Sequence, residues 1–475
     1  MASATNLNSA IDLNNASLSE LPIDAPKYDR GTVNVGIAHI GAGHFHRAHQ
    51  AAYINLLLQQ GLAHEWGICG VGVMPADWTM RDVLNGQDGL YTLILENPNG
   101  SRDAQVIGSI IDYRYAPDDP DSALEVLAAA STRIISLTIT EGGYRDPDGP
   151  AFALITEALA RRRQRGIAAP TIVSCDNIEN NGEVARRTVL ASAEHVDPEL
   201  AEWVAEHARF PSSMVDRITP ATTLEMAAEV RRDFGVNDRW PVVAEPFTAW
   251  VIEDDFADGR PPLEQAGVLL VDDVRPYELM KLRLLNAGHQ CLAYFAHLCG
   301  FKFVHEAASD PLFAEFLLAY FESEAIPTLP PVPGIDLHEY GRTLVERFAN
   351  PAVRDTVARL CAYSSDRIPK WLYPVICDNL AHGGPVRLAA AVVASWARYA
   401  EGVDEWGNPY EVLDQLADSL IPIARSQHEN PTVFIEITAV FCDLAHQPRF
   451  VEAYLWALDS LHSKGARATL DALVR

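Results

Sequence analysis

The chain has 475 residues, 48% of them hydrophobic and 21% charged, with a formal net charge of −27. This is the composition of an ordinary globular protein, long enough to need two domains rather than one core. The acidic balance argues against nucleic acid or an anionic membrane surface as a partner, and suits a small neutral ligand.

Residues 1 to about 30 form a polar lead-in with no charged segment followed by an apolar stretch, so no signal peptide is expected. The pattern then becomes strand–turn–helix: VNVGIAHI, the turn GAGHFH at 41–46, and RAHQAAYINLLLQQG as one helix ended by Gly61. Further strands are predicted in WGICGVGV, YTLILE, AQVIGSIIDYRYA, RIISLTIT and TIVSCDN, with a hairpin turn at NPNG. SALEVLAAA and AFALITEALARRRQRG read as helices, the second ended by Gly166. Strands alternating with helices predict an α/β domain with a mostly parallel, Rossmann-like sheet. From Tyr277 onward nearly everything reads as helix, with starts expected at Asp310-Pro311, Asn350-Pro351, Gly384-Pro385, Asn408-Pro409 and Asn430-Pro431. The expected division is therefore 1–276, dinucleotide-binding, and 277–475, mainly α-helical and substrate-binding.

No apolar run reaches the roughly 20 residues that span a bilayer. The seven cysteines are scattered and lack C-x-x-C pairs, so neither a disulfide framework nor a zinc cage is indicated and a cytoplasmic setting is expected. His305-Glu306 lacks the second histidine of an H-E-x-x-H zinc site, and His44, His46 and His49 straddle a turn without helical ligand spacing, so no metal is assigned.

The glycine turn has the context of a dinucleotide loop. Gly41 would permit the tight turn and Gly43 the close approach of a pyrophosphate to the backbone, although His46 stands where a third glycine is usual. The plainer reading is a turn that needs positive φ. Asp77, past the second strand, is the candidate for the ribose hydroxyls, and with no basic residue before Arg81 it favours NAD over NADP.

The helix YELMKLRLLNAGHQCLAYFAHLCG carries polar groups on an apolar element. At about 100° per residue, Asn286 falls about 140° round from Lys281, with His289 between them and Glu278 one turn before the lysine. Alcohol oxidation needs a base, donors for the developing alkoxide, an oriented substrate and a hydride acceptor. A buried lysine can be the base, an asparagine amide the donor and a histidine the orienting group. A snorkelling lysine and a satisfied core histidine are the structural alternative.

GAGHFHRAHQAAY, QDGLYTLI, SLTITEGGY, SCDNIENNG, MVDRITP, KLRLLNAGH and SSDRIPKW, in this order, make the chain resemble the mannitol dehydrogenase family, the polyol-specific long-chain dehydrogenases. The resemblance runs from about residue 30 to 375. It implies a Rossmann-like domain, a helical domain and a cleft between them for cofactor and polyol. It implies Lys281 as catalytic base, Asn177 and Asn286 as the oxyanion pair, His289 on the substrate, and Glu278 on a proton path. Asp216, with Val215 beside it, would bind a substrate hydroxyl, and Arg359 and Arg367 would lie near the polyol's far end, Arg367 standing where lysine is expected in several relatives. Gly41, Gly43, Phe45, Thr140 and Glu141 would line the cofactor. The implied reaction is metal-independent, NAD-dependent oxidation of mannitol to fructose or arabinitol to xylulose. The alternatives are an aldonate or uronate reductase of the fructuronate or tagaturonate type, a silent nucleotide-binding protein, and a pyridoxal-phosphate enzyme using Lys281. A monomer is expected, since no long coiled-coil pattern demands assembly.

Overall fold

Five short apolar runs in the first part of the chain pair into one all-parallel sheet. They are β1 (Val35–Ile40), β2 (Gly67–Gly72), β3 (Ile110–Tyr115), β4 (Ile134–Leu137) and β5 (Thr171–Ser174). Their spatial order is β3-β2-β1-β4-β5, the first five positions of the Rossmann order 3-2-1-4-5-6. Apart from the edge strand β3, the strands are almost wholly buried, as expected of a parallel sheet covered on both faces by helices. The structure is a computed structural model that describes residues 10–475. It divides into two compact units, the first ending at Arg275 and the second running from Pro276 to Arg475.

Among the described residues, the first unit adds three smaller sheets, two of three strands and one of two. YTLILE and the following strand pair antiparallel across the NPNG turn, as Tyr91–Glu96 with Arg102–Ile107. β6 (Ser213–Asp216) pairs antiparallel with β7 (Ala249–Glu253), setting Asp216 opposite Ala249 and Val215 opposite Trp250. The segment AQVIGSIIDYRYA is two strands rather than one. It breaks at Gly108-Ser109, where a Cβ on Gly108 would lie 2.7 Å from the Pro26 ring, and its halves join different sheets.

The helix after the glycine turn also differs from expectation. It consists of α1 (His44–Ala48) and α2 (Gln50–Gln59), broken at His49, whose φ −117° and ψ −91° lie outside the helical region. The described part of the lead-in is anchored. Leu13 is buried with Leu90, Ile94 and Val236, and the Arg30 guanidinium donates to the carbonyls of Gly108 and Ile110.

The second unit is helical. Its polar helix begins as α3 (Arg275–Met280) and continues after a π-helical turn as α4 (Ala287–Leu298). α5 (Arg387–Tyr399) is buried along nearly its whole length, and α6 (Pro448–Lys464) packs against it. The buried carboxylate of Glu324 accepts hydrogen bonds from the Leu388 and Ala389 amides at 2.7 and 2.8 Å, satisfying the first turn of α5. Asp310-Pro311 starts a helix, with Asp310 capping the Leu312 amide. Asn350-Pro351, Asn408-Pro409 and Asn430-Pro431 form turns or extended loop instead. Proline's fixed φ suits a turn as well as a first helical position, and Asn350 and Asn430 each cap an amide two residues on. All seven cysteines are unpaired, and no helix of the described residues is long and apolar enough to cross a membrane.

Candidate active site

In the first unit the candidate groups stand where the parallel strands end. Gly41 follows β1 with φ +93°, and a Cβ there would lie 2.2 Å from the Thr138 carbonyl oxygen, so the position demands glycine. A Cβ on Gly43 would meet only the Gly41 oxygen, at 3.8 Å. Gly43 therefore borders open space at the start of α1, the room that a phosphate approaching the backbone requires. Phe45 stacks on His49 with ring centroids 5.0 Å apart. His46, in place of a third glycine, is buried and stacks on His39 at 3.4 Å.

The turn is held by residues that the sequence reading missed. The Thr138 hydroxyl donates to the Gly41 carbonyl at 2.6 Å and lies 2.9 Å from His39 Nε2. Since its one proton goes to Gly41, Thr138 accepts from His39 Nε2–H, leaving Nδ1 to accept from Ser136 at 2.8 Å. Burial lowers the His39 pKa to about 3, so the ring stays neutral and this relay keeps one direction. Asp77 lies in the turn after β2, where one carboxylate oxygen accepts from the Val73 and Met74 amides, both at 2.9 Å. It shapes that loop whatever else it binds.

Thr140 and Glu141 are exposed just past β4, Thr140 with φ +65°. A buried carboxylate fixes this strained residue. Asp176 accepts from the amides of Ile139 and Thr140 and from the Tyr144 hydroxyl, at 3.0, 2.8 and 2.7 Å. Burial is the main influence on Asp176 and raises its pKa. Asn177, the next residue, is exposed at the end of β5. Asn181 ties this strand end to β6: its amide donates to the Asp176 and Ser213 carbonyls and its oxygen accepts from the Ser213 amide. Val215 and Asp216, three residues or fewer along β6, are buried. The Arg217 guanidinium donates to the Ala48 and Glu245 carbonyls, at 2.6 and 3.0 Å.

In the second unit, Glu278, Lys281 and Asn286 are all buried, and His289 is half-buried against Phe348 at 4.3 Å. The π turn spans Lys281–Asn286, which changes the geometry expected from a uniform α-helix. A π turn closes at i+5, so Asn286 takes the place an i+4 residue has in an α-helix, about 40° round from Lys281 rather than about 140°. Lysine and asparagine thus share one face. Asp355 makes a bidentate ion pair with Arg359, through Nε at 2.5 Å and through Nη2. Burial of Asp355 works against ionisation, but Arg359 holds its carboxyl below the ordinary value, and His289 adds to that effect. Arg367 donates to the carbonyls of Arg359 and Leu360, at 3.0 and 3.1 Å. Arg359, Arg367 and His289 are thereby linked through Asp355 and the backbone of one turn.

The model of the mannitol dehydrogenase Rossmann domain matches residues 35–265, and that of the mannitol dehydrogenase C-terminal domain matches 273–462. A mannitol 2-dehydrogenase of Phaeosphaeria nodorum is 42% identical, over 97% of this chain and 85% of its own. One from Aspergillus fumigatus is 41% identical over 98% and 99%. Among solved structures, the Pseudomonas fluorescens mannitol 2-dehydrogenase in ternary complex with NAD and D-mannitol is 40% identical, covering 98% of this chain and 99% of that one, with a TM-score of 0.87. A D-sorbitol dehydrogenase in substrate-free form is 33% identical, with a TM-score of 0.90 over 97% and 100%.

Proposed function

The chain belongs to the mannitol dehydrogenase family, and from that premise we propose that it oxidises a secondary alcohol of a polyol to a ketose with NAD, mannitol to fructose or arabinitol to xylulose. The observation that carries the reading is the buried Lys281 sharing a π turn with Asn286, in a chain whose relatives of about 40% identity are mannitol 2-dehydrogenases.

In this reading Lys281 takes the hydroxyl proton, and Glu278, one turn before it, passes that proton towards solvent. Asn177 and Asn286 donate to the oxygen as negative charge develops on it. His289 and Asp216 orient the substrate through its hydroxyls, with Val215 beside them, and Arg359 and Arg367 bound the far end of the polyol. NAD, when bound, accepts the hydride. Gly41, Gly43, Phe45, Thr140 and Glu141 would hold it, with Asp77 at the ribose, and the open space beside Gly43 suits its pyrophosphate. The chemistry assigned to these groups needs no zinc. The polyol is the only partner proposed; neither nucleic acid nor membrane enters, and the chain would work as a monomer in the cytoplasm.

The uronate-reductase alternative needs a basic group for a substrate carboxylate. Arg359 and Arg367 are the candidates; Arg359 is engaged bidentately by Asp355, and Arg367 already donates to the Arg359 and Leu360 carbonyls, which counts against that role for both. Steady-state rates on mannitol, arabinitol, sorbitol, fructuronate and tagaturonate, each with NAD(H) and NADP(H), test the proposal. NADH formation with mannitol or arabinitol is expected; turnover confined to the uronates would overturn it.

A further inference from the structure

In the second unit three side chains from separate segments converge outside the groups assigned above. Glu401 follows α5, His428 ends the short turn Ser426–His428, and His462 lies in the last turns of α6. One ligand atom from each lies within 4.8 Å of the others. No sequence spacing rule links residues so far apart, and the sequence reading did not find them.

We propose that Glu401, His428 and His462 bind a divalent transition-metal ion of the zinc type, which cross-links α6 to the segments that follow α5. Two imidazoles and one carboxylate are a donor set suited to zinc. The carboxylate is already oriented: Arg398 pairs with Oε2 at 3.0 Å, while Oε1 faces His462 Nε2 at 2.7 Å. A ligating carboxylate whose second oxygen is held by a neighbour is the usual outer-shell arrangement. The two imidazoles are 4.9 Å apart, centroid to centroid.

The frame around the group is firm. Arg425 Nε donates to the Glu401 carbonyl at 2.9 Å. The buried Gln427, next to His428, donates to the Ala424 and Ala397 carbonyls and accepts from the Tyr454 hydroxyl of α6. Glu401 is buried, His462 half-buried and His428 exposed, so the group opens to solvent on one side, where water can complete a tetrahedron. Ligand bonds of about 2.0–2.2 Å set ligand atoms roughly 3.3 Å apart, so His462 and Glu401 must separate slightly and His428 swing inward. The exposed His428 has room to do so. Binding replaces the hydrogen bond between His462 and Glu401, and any proton on the coordinating nitrogens leaves to solvent. The ion takes no part in alcohol oxidation, and the inference does not depend on that reading.

The test uses the untagged full-length protein, titrated with zinc chloride against a chromophoric chelator, and separately with cobalt chloride for its visible d–d bands. One ion per chain is expected, with a zinc-dependent rise in melting temperature. His428→Gln and His462→Gln should each weaken binding at least about tenfold and abolish that rise. His428 is exposed, so its variant should melt like the wild type without metal, which keeps the test decisive if His462→Gln folds poorly. Absence of binding to the wild type, or binding that survives His428→Gln undiminished, would overturn the proposal.

Discussion

The two units hold part of their candidate chemistry in opposite ways. In the first, Thr140, Glu141 and Asn177 stand exposed past strand ends, and the clamps beneath them are the buried His39, Asp176 and Asn181 and the half-buried Thr138. In the second, Glu278, Lys281 and Asn286 are themselves buried, and a change of helical pitch rather than a clamp aligns them. A loop site depends on residues that never touch a ligand, whereas a helix site depends on how many residues make one turn. Substitutions should therefore separate the units by what they damage.

Lys281→Ala carries the largest expected effect, a loss of roughly 10²–10⁴ in kcat, the range of a general base, with NAD binding retained. Undiminished polyol oxidation by this variant would remove the base from the second unit and break the contrast. Asn177→Ala and Asn286→Ala should each lower kcat by about 10²–10³ if each supplies an oxyanion donor. Steady-state kinetics decide between equal losses and a loss in one variant alone, which would confine the role to one unit.

Two buried titratable groups, one in each unit, respond to pH in opposite senses. Burial raises Glu324 in the second unit from 4.5 to about 7. A carboxyl raised this far binds its proton more tightly when folded, so its penalty is absent below about 4.5, grows as pH rises, and is complete above about 7. The cost is on the order of 3 kcal/mol, and Glu324→Gln should relieve it only at the high end. His39 in the first unit is lowered from 6.5 to about 3, so its contribution is present above 6.5 and lost as pH falls towards 3. Hydrogen exchange followed separately in β1 and α5 would show the two trends, and parallel trends would refute the distinction.

The smallest effect expected is that of Gly43→Ala in the glycine turn. Gly43→Ala meets no close neighbour, so it should fold normally and raise the KM for NAD by about tenfold, roughly 1.4 kcal/mol. Gly41→Ala collides with the Thr138 carbonyl at positive φ and should lose expression or melt well below the wild type. If Gly43→Ala binds NAD as well as the wild type does, the turn is not a cofactor cradle.

Much of the fold was legible because it is written locally. β-branched runs punctuated by glycine gave the parallel strands, Gly166 ended its helix in the left-handed conformation, and NPNG turned a hairpin. Three Asx-Pro pairs misled because the same dihedral preferences serve turns and helix starts alike. The motif GAGHF marked a turn, but the reason Gly41 cannot be replaced lies in Thr138, 97 residues away.

By itself, the sequence determined which residue types were available for chemistry, the strand and helix periods, and the family. Tertiary structure decided where those groups point. Asp176 became the anchor of the Thr140 loop and Asn181 the tie between β5 and β6 because folding brought distant amides to them. Lys281 and Asn286 came to share a face because their turn closes at i+5, which the residue spacing does not announce. Glu401, His428 and His462 met only through the packing of α6 against α5. Periodicity is a property of neighbours along the chain, while convergence is a property of packing, and the second cannot be read from the first.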